Sequence, residues 1–387
     1  MKRSACVVYP YPHPDSNPTL ANLAQALGAR GWDVEFYCAG GDARATDVGL
    51  AVNGKPSLLS PVPRPGLGFG GRQLERMRRA VLPQLYRLAR RHSLLLGVDP
   101  QGLALAHRLN SFAGLPLAYI SFEIMFRDEI GPGEEGLKSA ELAACRDVSL
   151  TLVQDEERAE ALAAETGLPR EAMALVPNSP LPEPIPESDL LRQRLGIGAD
   201  RRIVLYSGTL AGWASLHLLG EMVAHWPERF VLVLHSRTAN SPRMRTWLQG
   251  LVDTGRVVVS PDPVPSAQLG ELYASADYLL APYMPVPDDW TSGKNIRHIG
   301  LSSGKVAHAA LCGLPLLTTD LPVFRREFAA YRCGETYSSV SQSGALLEKM
   351  DADYATYSSE ARRFYDERLD PRGPMAEFCD GLEGLLR

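Results

Sequence analysis

The chain has 387 residues, of which 45% are hydrophobic and 22% charged, and its formal net charge is -5. That length exceeds what one hydrophobic core usually supports, so two domains are expected. The acidic balance, without interleaved basic and aromatic residues, excludes a nucleic-acid surface, and no apolar run reaches the length of a bilayer span.

Strand-like and helix-like patterns alternate from the start. Ala5–Tyr9 is an apolar run ending at Pro10, and a polar loop with Asp15 follows. From Thr19 the apolar residues Leu20, Leu23, Ala24 and Leu27 recur at helical spacing, and Val34–Cys38 reads as the next strand. This βαβ order predicts parallel strands with right-handed crossovers. Leu94–Val98, Leu117–Ser121 and Leu150–Gln154 are further strands. Five prolines between Pro177 and Pro186 forbid a helix and favour a stiff connector. The expected division is therefore 1–180, a linker 181–202, and 203–364, with a C-terminal helix at about 365–387 packing back on the first domain. In the second half Ile203–Tyr206, Phe230–Leu234, Val257–Ser260, Tyr278–Ala281 and Leu314–Thr318 read as strands, with helices Leu216–His225, Ser266–Ser275 and 305–312. The expected fold class is α/β, two Rossmann-like domains facing a central cleft at the carboxyl edges of their sheets.

The most informative segment is Gly300-Leu301-Ser302-Ser303-Gly304-Lys305, a small-residue loop that enters a helix. A helix N-terminus offers unpaired N–H groups and partial positive charge, which suits a diphosphate. Gly304 permits close backbone approach and Lys305 adds a full charge. The GxxxxGK[ST] spacing of a P-loop is absent.

Several segments in order resemble glycosyltransferases of the B fold, distantly the family-4 type that use nucleotide sugars. The resemblance rests on Val204-Leu205-Tyr206-Ser207-Gly208-Thr209-Leu210, on Leu272-Tyr273-Ala274-Ser275-Ala276-Asp277, on Ser303-Gly304-Lys305 through Gly313-Leu314-Pro315 and Thr318-Thr319-Asp320, and on Leu175-Val176-Pro177-Asn178-Ser179-Pro180. It is strongest over 203–335. It implies a glycosyltransferase of the hexosyltransferase class, with the donor's nucleotide diphosphate on the second domain and the acceptor, a carbohydrate or lipid-linked hydroxyl, mainly on the first. The chain departs from the family pattern in reading Gly300 and His308 where retaining members carry paired glutamates. No basic residue follows Gly208, and Ser121-Phe122-Glu123 replaces a frequent histidine. The donor sugar, its base and the stereochemical outcome stay open.

The expected donor-binding residues are Gly208, Thr209, Arg237, Lys294, Arg297, Ser302, Ser303, Gly304, Lys305 and His308. Glu123, at a strand end beside Phe122 and Phe126, is the first candidate base for an inverting reaction, and Asp15 the second. For each, the bland alternative is a turn, a packed histidine or an ordinary hydrogen-bonded carboxylate. Asp288-Asp289, beside Pro285, Pro287 and Trp290, reads as a solvated turn rather than a cation site, so no metal and no cofactor beyond the donor is expected. Arg72–His92 carries seven arginines among apolar residues, either a solvated helix face or a weak peripheral membrane contact. Six scattered cysteines, Cys6, Cys38, Cys145, Cys312, Cys333 and Cys379, predict free thiols in a reducing compartment, and the early polar N-terminus predicts a cytoplasmic protein. A catalytically degenerate partner subunit and a non-hydrolysing nucleotide-sugar epimerase are the competing readings.

Overall fold

The structure, a computed structural model, describes residues 3–38, 44–45, 51–54, 91–111, 113–214, 216–236, 242–260, 262–287 and 289–386. The chain forms two compact units, Met1–Val176 with Pro371–Arg387, and Pro177–Asp370.

The first unit carries β1 (Ser4–Tyr9), β2 (Asp33–Cys38), β3 (Arg44–Ala45), β4 (Ala51–Gly54), β5 (Leu94–Val98), β6 (Leu117–Ile120), β7 (Val148–Val153) and β8 (Met173–Leu175). They lie in the order β3-β4-β2-β1-β5-β6-β7-β8, parallel except for β3 against β4. Alternate residues of β1 serve opposite faces. Ala5 and Val7 pack with Leu94 and Leu96 on one side, and Cys6 and Val8 pack with Leu95 and Leu103 on the other. Burial on both faces is why these strands read as continuous apolar runs. The chain order reverses between β1 and β5, the place where a doubly wound sheet opens a crevice at its carboxyl edge.

The helix Asp99–Asn110 sits on that reversal point at very short range. A Cβ on Gly97 would lie 2.4 Å from the Leu103 Cα, and one on Gly102 would lie 2.4 Å from the Val8 carbonyl oxygen. Both obstacles are backbone, so only glycine permits this approach. Gly102→Ala is expected to lower stability by about 1–3 kcal/mol through forced backbone displacement, read as a lower urea midpoint.

The second unit carries β9 (Arg202–Ser207), β10 (Phe230–His235), β11 (Val257–Ser260), β12 (Tyr278–Ala281), β13 (Leu316–Thr319) and β14 (Gly334–Tyr337). Their order, β11-β10-β9-β12-β13-β14, is the Rossmann arrangement with its switch point between β9 and β12. All the pairings are parallel.

The boundaries differ from the sequence expectation at two places. Residues 181–202 are not a free linker. Leu191 is 1% exposed in the second unit's core, with Ile185, Leu190, Leu195 and Ile197 packed against it. Residues 365–370 also belong to the second unit, because Tyr365 and Leu369 are buried in that same core. The crossover to the first unit is made by the helix Arg372–Gly384, which packs beside the helix Pro18–Ala29, β7 and β8 and buries Met375, Phe378, Cys379 and Leu382 in the first unit's core. Leu216–His225 and Ser266–Ser275 each begin as a single 3-10 turn before the α-helix.

Candidate functional site

Both candidate sites stand at a switch point. In the second unit, β9 ends in Tyr206-Ser207-Gly208, and Gly208 has φ +143°, a backbone conformation that favours glycine. Its N–H donates to the His235 carbonyl at 3.1 Å. The Tyr206 hydroxyl donates to the Thr209 carbonyl at 2.6 Å, which closes the turn after the strand. After β12 the Tyr283 N–H donates to the Thr319 Oγ1 at 2.8 Å, and the Met284 N–H to the Trp213 carbonyl at 2.7 Å. The loops after β9, β12 and β13 are thereby tied together.

The helix Gly304–Leu311 starts at this same place. Ser303 caps it by accepting the Val306 N–H, and the Ser303 hydroxyl also bonds the Tyr283 phenol. Gly300, at φ +43°, turns the preceding loop, and Asn178 fastens it, its N–H and side-chain amide donating to the carbonyls of Leu301 and Ser302 at 3.0 Å each. His308, one turn in, meets the Gly304 carbonyl through Nδ1 at 2.8 Å and stacks on Tyr273 at 5.3 Å. A proton on Nδ1 makes that contact, which leaves Nε2 as an acceptor.

Lys305 does not reach out into water. Its Nζ lies 4.7, 5.1 and 5.2 Å from the ring centroids of Tyr206, Trp213 and Tyr283. Trp213 and Tyr283 are stacked nearly parallel, 7° apart. A Cβ on Gly208 would stand 3.3 Å from Nζ, so the missing side chain of Gly208 leaves the space the ammonium occupies. The Nζ is buried and has no hydrogen-bond partner among the described residues. Three ring faces partly replace its hydration, but burial still pulls its pKa down to about 7. A partnerless cation at the carboxyl edge of a Rossmann sheet is a ready partner for an anion.

The structure thus brings Gly208, Thr209, Ser302, Ser303, Gly304, Lys305 and His308 to one edge. Lys294 and Arg297 lie just before it, on the short helix Lys294–Arg297, with Arg297 exposed. Arg237 falls outside the described residues, as does Arg72–Arg90 of the basic run and Asp288. Asp289 accepts from the Thr291 N–H and hydroxyl and from the Ser292 hydroxyl, which makes it a turn residue. His235 is buried and bonded to the Ser260 hydroxyl at 3.0 Å, as expected of a packed histidine. Among the described residues no group of three or more His, Cys, Asp or Glu side chains is placed to hold a metal. None of the described helices is long and apolar enough to cross a membrane. The six cysteines are buried free thiols.

In the first unit Glu123 follows β6 and Asp15 sits in the single turn Pro14–Ser16. Both carboxylates, with that of Asp99, act on the buried Tyr9 phenol, whose pKa is pushed up first by burial and then by their charge. The three acids therefore share the carboxyl edge of β1, β5 and β6. Tyr11 packs edge-on against Tyr9 at 5.3 Å and is 40% exposed there. Sequence reasoning missed Asp99 and the three-ring enclosure of Lys305.

Two α/β units with Rossmann strand order define the fold of the B-type glycosyltransferases. Comparisons with known proteins agree. Residues 16–179 match the family model of the glycosyl transferase 4-like domain. That match falls on the first half of the chain rather than on 203–335, where the motif resemblance is strongest; the second half lacks the glutamate pair and the basic residues after Gly208. The fold is similar to that of Anabaena HepE in complex with UDP and glucose, at 16% identity over 98% of this chain and 99% of that one, with a TM-score of 0.74. It is also similar to sucrose-phosphate synthase from Thermosynechococcus elongatus, at 14% identity over 99% of each chain and a TM-score of 0.71. WaaG, a glycosyltransferase involved in lipopolysaccharide biosynthesis, matches at 17% identity over 97% of this chain and 98% of that one, with a TM-score of 0.61. No curated protein sequence is significantly similar to the chain.

Proposed function

We propose that the protein is a glycosyltransferase that moves a hexosyl group from a nucleotide diphosphate sugar to an acceptor hydroxyl without a bound metal. The observation that carries this reading is the buried Lys305 ammonium at the β9–β12 switch point, which has no hydrogen-bond partner among the described residues and lies beside the N-terminus of the helix Gly304–Leu311. A leaving diphosphate gains negative charge as the glycosidic bond breaks, and a preorganised cation with backbone amides in a dry site stabilises it at no reorganisation cost. The donor set here is one ammonium, the first amides of a helix and the Ser302–Ser303 loop. Arg297 and Lys294 add charge at the entrance. His308, with Nε2 as acceptor, suits a ribose hydroxyl. Glu123 takes the acceptor's proton as the new C–O bond forms, and Asp15 lies on the same acidic edge. A cytoplasmic location and a carbohydrate or lipid-linked acceptor complete the reading.

Calorimetric titration with UDP, GDP, ADP and TDP, each with and without EDTA, tests the donor half. One of them is expected to bind at micromolar Kd with no loss in EDTA. Failure of all four would favour a degenerate subunit, and loss in EDTA would overturn metal independence. Formation of an epimer from the bound nucleotide sugar, without acceptor, would identify the epimerase reaction instead.

A further inference from the structure

We infer that Asp99 is a positioning residue for the candidate base Glu123, holding the turn Ser121-Phe122-Glu123 in one conformation. This rests on the reading of Glu123 given above. Three observations lead to it. Asp99 is one of two non-glycine residues with positive φ among the described ones, at +56°, a conformation costing a non-glycine residue about 1 kcal/mol or more. Such strain is retained where the surroundings enforce it. Its carboxylate is 1% exposed, and one oxygen, Oδ1, accepts two consecutive backbone N–H groups, from Phe122 at 2.8 Å and Glu123 at 2.9 Å. The rest of the turn is held just as firmly. The buried Arg158 guanidinium donates to the Phe122 carbonyl, Gln154 donates to the Ser121 carbonyl at 2.9 Å, and the Ser121 hydroxyl reaches the Glu123 carbonyl at 3.3 Å.

Two buried charges and a buried amide are thus spent on three residues after β6. Ser121 and Phe122 are buried, so their backbone groups need partners inside the protein. Here the side chains of Asp99, Gln154 and Arg158, rather than neighbouring backbone, supply them to the Phe122 and Glu123 N–H groups and the Ser121 and Phe122 carbonyls. The arrangement fixes where the Glu123 side chain leaves the backbone. A base must sit within hydrogen-bond reach of the proton it takes, and a shift of about 1 Å can cost about 100-fold in rate. The titratable groups that interact with the Asp99 charge are Arg158, Glu141, Tyr9, Tyr11 and Tyr119, while Glu123 meets it through its backbone N–H. Burial raises the Asp99 pKa to about 7, with the two amides and Arg158 opposing. Because an acceptor oxygen is what the turn needs, the role does not require the negative charge.

The test compares Asp99→Gly, Asp99→Asn and Glu123→Gln in the full chain. Glycine relieves the positive φ but removes the acceptor, whereas asparagine tolerates this backbone and keeps an Oδ1. Hydrogen exchange of the segment 117–126, UDP affinity by calorimetry, and UDP release from UDP-glucose are measured for each. Asp99→Gly is expected to expose the Phe122 and Glu123 amides to exchange and to lower kcat about 100-fold, with UDP affinity unchanged. Asp99→Asn is expected to restore protection and most of the rate. Protection of these amides in Asp99→Gly, or a fall in UDP affinity matching the fall in rate, overturns the inference. A slow Glu123→Gln beside a fast Asp99→Gly refutes positioning alone, whereas a wild-type rate in Glu123→Gln refutes the base itself.

Discussion

Lys305→Met is expected to make the free protein more stable at pH 7 while weakening binding of the nucleotide selected by the four-nucleotide titration by about 100-fold or more. The two effects share one cause. The Lys305 Nζ is buried among three rings with no hydrogen-bond partner among the described residues, and burial lowers its pKa to about 7. An unfolded lysine has a pKa of about 10.4. Between these values the unfolded chain holds a proton that the native one has released, so stability rises with pH across the window. The penalty is therefore full below pH 7, shrinks as pH rises, and is gone above about pH 10.5. Methionine has nearly the same length, carries no charge and packs well against aromatic rings. Its gain in the urea midpoint should correspond to a few kcal/mol at pH 7 and vanish near pH 10.5. A protein that tolerates this cost in its resting state uses the ammonium for something else, and stability given up at a site is a common mark of function. A Lys305→Met protein that is less stable than wild type at pH 7, or that binds the selected nucleotide normally, would remove the lysine from the donor site.

The elements at these sites were legible to different degrees. The strands were, because both faces of each sheet are buried and the apolar runs are unbroken; Leu94–Val98, Val257–Ser260 and Tyr278–Ala281 have the predicted ends. The loop-to-helix entry at Ser303-Gly304-Lys305 was also legible, since capping chemistry is local. The surroundings of Lys305 were not. Tyr206, Trp213 and Tyr283 are brought together only by the pairing of β9 with β12, and nothing near Lys305 in sequence announces three rings. The simple expectation of an extended lysine reaching phosphate misses the enclosure that depresses its pKa. Asp99 did leave a signal. An acid placed directly after the apolar run Leu94–Val98 and before Pro100 marks the carboxyl end of a strand and the start of a helix. Its positive φ and its two amide partners on the next strand's loop, however, are long-range facts. The crossover was misplaced for a similar reason: Tyr354–Leu369 and Arg372–Gly384 both carry apolar stripes, and only packing assigns them to different cores.

Binding of the sugar donor built on the nucleotide selected by that titration is expected to take up close to one proton at pH 8, about 0.8 per site, through Lys305. In the free protein a group with a pKa of about 7 is mostly neutral at pH 8. Contact with a diphosphate restores the charged form, since an opposite charge within a few ångströms favours it. The complex therefore holds more protons than its parts between about pH 7 and pH 9, and affinity falls as pH rises through that window. Below pH 7 the lysine is already charged, and this source of pH dependence disappears. The neighbouring groups do not confuse the reading. In the free protein burial lowers the His308 pKa below its ordinary value and raises those of the Tyr206, Tyr273 and Tyr283 phenols above theirs, so these shifts lead away from the window. Calorimetry at pH 8 in HEPES and in Tris, whose ionisation enthalpies differ widely and neither of which is a phosphate, counts the protons directly. The observed enthalpies should diverge for wild type and coincide for Lys305→Met. Coincident enthalpies in the wild type would mean that the donor binds without drawing on this amine, and the anion site at the β9–β12 edge would have to be built from backbone amides alone.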